Sequence, residues 1–180
     1  MKKVLFAAFL LVSSNAIFAQ VNKGQWLAGG IVNFTSSKYG DVDNSKHTHF
    51  EISPNAGYFF IDKLAGGLRL SYVSDKDKGD DDATSTFTAA PFVRYYFLDA
   101  AQKVNVFADA SYVFGSTGAK DKESMNYWQI MAGPAVFLSP NTALELTVGY
   151  KSVGGDAYGD DRWKQFGVNV GFQIHLGGKK

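Results

Sequence analysis

The chain has 180 residues, no cysteine, and 18 basic against 17 acidic residues, for a formal net charge of +1. That length suits one domain, the even charge excludes the basic excess of a nucleic-acid binder, and the missing cysteine excludes a disulfide scaffold, a thiolate metal site and a lipid-modified N-terminal Cys. A 46% hydrophobic share with 19 Gly, 15 Phe and 9 Tyr excludes disorder and favours strands, which use aromatics and tolerate Gly at bends, over helices.

The first element is an address label. Lys2 and Lys3 precede an apolar run from Val4 to Val12, and small and polar residues lead to Ala19. This is the three-part plan of a secretory signal peptide over residues 1–19, with cleavage expected between Ala19 and Gln20. The nine-residue run is too short for a membrane helix, which needs roughly 20 residues. Residues 20–180 are expected to form a single domain.

Along that domain, apolar residues recur with period two. Phe50, Ile52, Pro54, Ala56, Tyr58 and Phe60 alternate with Glu51, Ser53, Asn55 and Gly57. The last segment is the cleanest, with Phe166, Val168, Val170, Phe172, Ile174 and Leu176 set between Gly, Asn, Gln and His. Eight strands are predicted, near 24–35, 48–60, 64–74, 85–98, 103–115, 125–138, 142–153 and 163–176. The first is the least regular, because Trp26, Ala28, Val32 and Phe34 oppose Leu27 and Ile31 in parity. The connections alternate between long and polar (Ser36–His47, Asp75–Ala83, Ser116–Ser124, Gly154–Arg162) and short (Ile61–Lys63, Asp99–Gln102, Ser139–Asn141). An even strand number with short turns at one end and polar loops at the other predicts an all-β fold, an eight-stranded antiparallel up-and-down transmembrane barrel.

A soluble barrel would keep its apolar side inward, whereas a membrane barrel turns it outward. The faces opposite the apolar ones carry Glu51, Arg69, Arg94, Asp109, Glu145 and Lys151. These are expected to form a polar network in the lumen with Asn55, Gln165, Asn169 and Gln173, since eight strands leave an interior that side chains fill. Buried charges cost several kcal/mol each unless paired. Aromatics collect near the short turns (Tyr58, Phe60, Tyr95, Phe97, Phe137) and near the loops (Tyr72, Tyr112, Phe114, Trp128, Tyr150), as two interfacial belts would. Pro54, Pro91 and Pro134 fall within predicted strands, where the missing N–H predicts local bulges.

The stretches "GQWLAGGIVNF", "PNAGYFFIDKLAGGLRLSY", "PFVRYYF" and "LELTVGY" resemble the outer-membrane β-barrel family common in Bacteroidetes, a group similar to the OmpA and OmpX barrels and the opacity proteins. The resemblance covers essentially residues 20–176. It implies an outer-membrane location, and Asn169, Gly171, Ile174 and Leu176 resemble the C-terminal signal read by the barrel-assembly machinery. Gly177, Gly178, Lys179 and Lys180 follow in place of the terminal Phe usual in proteobacteria.

Candidate chemistry is sparse. His47, His49 and Glu51 share one face of a strand and have the residue types of a divalent-metal site. Asp75, Asp77, Asp80, Asp81 and Asp82 crowd one loop and Asp156, Asp160 and Asp161 another, but Thr86 stands where a calcium loop needs Glu. Tyr39, Tyr158 and Trp163 lie at loop bases. No nucleophile motif, phosphate loop or helical HExxH is present. The expected function is a non-catalytic structural and surface-interacting barrel without cofactor, monomeric, partnered by outer-membrane lipid, lipopolysaccharide and surface ligands at its loops, with no nucleic acid. The competing readings are an enzyme modifying lipid A, a narrow pore, and a soluble ligand-binding barrel.

Overall fold

A computed structural model describes residues 21–38, 46–79, 82–118, 120–156 and 159–177. The expected signal peptide, Tyr39, Asp80, Asp81, Tyr158 and the side chains of Asp160 and Asp161 lie outside them.

Eight antiparallel strands form a closed barrel in sequence order: β1 (Trp26–Lys38), β2 (Lys46–Ile61), β3 (Leu64–Asp77), β4 (Thr84–Tyr96), β5 (Val104–Gly118), β6 (Glu123–Ser139), β7 (Thr142–Gly155) and β8 (Gly159–Leu176). Several hairpins outrun the apolar alternation at the loop end: β3 reaches Asp77 and β8 starts at Gly159. Polar cross-strand partners extend the ladder there, as where His47 pairs with Asp77, because backbone pairing does not depend on a greasy face.

Polarity is turned outward. Phe166, Val168 and Val170 are exposed, whereas Arg94, Asp109 and Glu145 are buried. The mixed parity of β1 follows from the same rule: Trp26, Val32 and Phe34 face out, and Leu27, wholly buried, faces in. Outward aromatics form clusters near both ends, with Trp26 against Tyr58 at 5.2 Å, Tyr95 against Phe97 at 5.1 Å and Trp128 against Tyr150 at 5.3 Å between ring centroids. Phe137 is a correction to the expected belt. It shares the inward parity of Met131 and Ala135 and is fully buried, because the pleat and not the height along the strand sets which way a side chain points.

The prolines are a second correction, for none sits at a bulge. Pro54 pairs with Gly30, Pro91 with Leu68 and Pro134 with Val106 in unbroken register. On the opposite side of each, pairing lapses and resumes in the same register. An antiparallel residue aims its N–H and C=O at one neighbour only, so a missing donor interrupts one ladder without shifting it. The register shifts fall near strand ends, at Phe59/Ile61, Phe137/Ser139 and Val153/Gly155.

Closure between first and last strand is short. β1 and β8 pair only over Trp26–Gly30 against Phe172–Leu176. From Ile31 upward, β1 is paired to β2 alone, and β8 below Phe172 in number is paired to β7 alone.

Candidate functional site in the barrel lumen

The lumen has three levels. At the short-turn end, Leu27, Phe59, Tyr96, Phe107 and Phe137 form an apolar plug together with Val21 and small alanines. His175 lies within it, fully buried, its ring 5.3 Å from Phe137 and 5.7 Å from Phe59. The segment before β1 closes over this level: Lys63 donates its N–H to the Val21 carbonyl at 2.7 Å, and Gly24 donates to Phe59 at 2.9 Å. Sequence reasoning missed this aromatic plug. Its signal is the inward parity of Phe59, Tyr96, Phe107 and Phe137, of which the expected belt took in Phe137 alone.

Above the plug sit four paired charges. Arg94, on β4, donates from Nη1 to both carboxylate oxygens of Glu145 on β7, at 2.8 and 3.1 Å, and from Nε to Asp109 Oδ2 on β5 at 3.1 Å. Arg69 on β3 reaches the same Asp109 oxygen at 3.1 Å. The Tyr96 hydroxyl donates to Glu145 Oε1 at 3.4 Å. Two guanidinium and two carboxylate groups cancel in charge, which compensates for desolvation that either sign alone would suffer. The Arg94 guanidinium also lies 4.3 Å from the centre of the Phe107 ring and Arg69 lies 5.1 Å from that of Phe92, so the cations rest on aromatic faces. Asn55 and Gln173 border the quartet around a cavity of about 10 Å³, room for about one water molecule.

Toward the loops the lumen widens into a vestibule of about 630 Å³. Glu51, Lys151, Gln165 and Asn169 line it, and Arg69 of the quartet also reaches it. The Lys151 ammonium lies 5.5 Å from the centre of Tyr127 and 5.7 Å from that of Trp163. At the rim, His47 Nδ1 is 2.9 Å from Asp77 Oδ1, and His49 Nδ1 is 2.7 Å from Asp75 Oδ1. The hydrogen bond to Asp77 raises the His47 pKa from the ordinary 6.5, and attraction from Asp75 adds to it. Thus both imidazoles engage aspartates of β3, and among the described residues no three His, Asp or Glu side chains converge as metal ligands. Asp82 pairs with Lys120 at 3.1 Å, and Asp156 accepts from Ser124 Oγ at 2.6 Å. In β8, Ile174 and Leu176 face outward while Asn169 lines the vestibule.

A closed barrel of even strand number, apolar outside and charged within, with aromatic clusters near each end, is an integral outer-membrane protein by the physics of its surface: hydrocarbon requires the backbone paired and the outer side chains greasy. The chain belongs to the family described as outer membrane protein beta-barrel domain, whose model matches residues 4–173. The soluble-barrel reading falls with this. Among solved structures the chain is similar to the outer membrane protein OprG of Pseudomonas aeruginosa, with 14% identity and a TM-score of 0.56 over 86% of this chain and 97% of that one. It is also similar to the N-terminal β-barrel domain of Pseudomonas aeruginosa OprF, with 14% identity and a TM-score of 0.52 over 86% and 98%. At that identity the likeness shows the fold alone. No curated protein matches the chain.

Proposed function

We propose that this barrel is a non-catalytic structural protein of the outer membrane which displays its loops to surface ligands and conducts no solutes. The observation that carries the reading is the stack of Arg69, Arg94, Asp109 and Glu145 on the ring plug of Tyr96, Phe107 and Phe137, which occupies the lumen with paired charge and buried aromatics. A solute path would have to break both layers. The rim histidines hydrogen-bond carboxylates of β3, an arrangement that fixes two strands together. The subtype is proposed to be the OmpA/OmpX-like barrel that the sequence motifs of the Bacteroidetes group suggest, a monomer in contact with lipopolysaccharide, inserted by the barrel-assembly machinery through the Asn169–Leu176 signal.

The test joins two measurements on the purified protein and its deletion strain. Planar bilayers should register no unit conductance, and lipid A from the deletion strain should keep its mass. Stable single-channel steps would establish a pore, and a lipid A mass shift restored by the wild-type gene would establish an enzyme. An envelope that becomes detergent-sensitive on deletion supports the structural role.

A further inference from the structure

The unpaired part of the β1–β8 seam and the vestibule occupy the same height. Where β1 and β8 pair, over Trp26–Gly30 and Phe172–Leu176, the interior is the buried plug of Leu27, Phe59, Phe137 and His175, with Gln173 beside the quartet. Where they do not pair, the interior is the vestibule, lined from β1 by Ile31 and Asn33 and from β8 by Gln165, Gly167 and Asn169. Backbone left unpaired at membrane depth is tolerated only where it borders water or protein, so the slit lies where an aqueous cavity can solvate it. Val168 belongs to the outer face and is 61% exposed, yet it also lines the vestibule. With both strand edges unpaired at this height, the seam is the route from the cavity to the lipid side. Its outer lips are Val32 and Phe34 of β1 and Phe166 and Val168 of β8, more exposed than the other large apolar side chains of the described surface. Gly167 leaves the vestibule wall open beside the gap, since a Cβ there would meet nothing within 4 Å.

The inner walls beside this slit carry opposite charges. Lys151 lies on β7, paired with Gln165 of β8, and Glu51 lies on β2, paired with Asn33 of β1. Among the described residues Lys151 has no carboxylate within 4 Å, and its neighbours are the rings of Tyr127 and Trp163. Glu51 accepts a hydrogen bond from Ser53 at 2.9 Å, has His49 Nε2 at 3.9 Å, and faces the same vestibule as Lys151. A cation on one flank, a carboxylate on the other and an apolar exit between them match a ligand with an anion, a cation and one chain.

We propose that the vestibule binds a single-chain phospholipid whose head carries a phosphate and an ammonium, with the phosphate at Lys151, the ammonium at Glu51 and the acyl chain leaving through the β1–β8 slit between Val32, Phe34, Phe166 and Val168. This goes beyond the structural reading and does not depend on it, because a sealed floor and a laterally open vestibule are separate features of the lumen.

The test uses the full barrel in neutral detergent, with Trp26→Phe and Trp128→Phe so that Trp163, beside Lys151, is the one tryptophan left. Lysophosphatidylethanolamine spin-labelled near the head should quench Trp163 with saturation. Spin-labelled lysophosphatidylglycerol, which lacks the ammonium, and monoacylglycerol, which lacks both charges, should bind about tenfold more weakly, one decade of affinity. Free phosphoethanolamine should not compete at equal concentration, which separates a lipid from a soluble source of the same head. Lys151→Gln should weaken lysophosphatidylethanolamine about tenfold, and Glu51→Gln should abolish its preference over lysophosphatidylglycerol. Val32→Cys with Val170→Cys, partners if the register of Trp26 and Leu176 continued upward, should lose the quenching when oxidised and regain it when reduced. Equal quenching by all three lipids, or quenching unchanged once the disulfide has closed the slit, would overturn the proposal.

Discussion

Arg94 and Glu145 meet through one guanidinium nitrogen and two carboxylate oxygens, at 2.8 and 3.1 Å, across 51 residues of chain. The pair ties β4 to β7 across the lumen, while Asp109 ties Arg94 to Arg69 along the near wall.

Breaking that quartet should cost more than deleting it. Arg94→Ala or Glu145→Ala leaves an uncompensated buried charge and should destabilise the barrel by about 3–5 kcal/mol, whereas Arg94→Met with Glu145→Leu should lose less than either single change. Urea titration followed by the heat-modifiable gel shift measures the difference. A double variant weaker than both singles would contradict the pairing as drawn.

The plug predicts a second loss. Phe107→Ala removes a fully buried ring packed on Tyr96 at 5.7 Å and on Arg94, and should cost about 3–5 kcal/mol. Phe107→Leu should cost clearly less, because most of the volume remains. The same urea series checks both.

The short β1–β8 closure predicts that Gly29→Ala is poorly tolerated. A Cβ at Gly29 would strike the Phe172 carbonyl and the Gln173 amide, overpacking one of only five seam pairs at a cost of about 1–3 kcal/mol. Refolding into detergent micelles should yield a smaller compact band on an unheated gel than wild type gives.

Acid should tighten the loop-end base of the β2–β3 hairpin. The His47 pKa is raised, chiefly by its hydrogen bond to Asp77, so its contribution is fully present below pH 6.5 and is lost as pH rises through the folded value. Amide exchange at Thr48 and Lys76, corrected for intrinsic rate, should be faster at pH 8 than at pH 6. His47→Gln should flatten that dependence.

Two short turns are joined by Lys63 and Asp99, 2.7 Å apart. Lys63 is held above its ordinary 10.5 and Asp99 below its ordinary 3.8, each first by their mutual hydrogen bond. The link is therefore complete between those ordinary values; it fades as acid titrates Asp99 through its lowered value and as base titrates Lys63 through its raised one. Asp99→Asn should abolish the acid-side change in amide exchange of Tyr96, whose N–H bonds to the Lys63 carbonyl at 2.9 Å.

The period-two runs of β2 and β8 were legible because hydrocarbon outside and charge inside write opposite residue types at alternate positions; strand number, loop alternation and outward polarity follow from that local rule alone. The plug was not legible. Phe59 and Phe107 read as ordinary strand aromatics and Phe137 as part of a belt, and only the closed barrel shows that they meet around His175. The inner charges could be named one by one, and counting from the short turns already sets Arg94, Glu145 and Arg69 at neighbouring heights; that Asp109 joins them while Glu51 and Lys151 stay out of the group depends on strand tilt and register. The slit between β1 and β8 lay furthest from view. Alternation specifies the two faces of a strand and is silent about its edges, so which edges find a partner is decided only when the last strand comes round to the first.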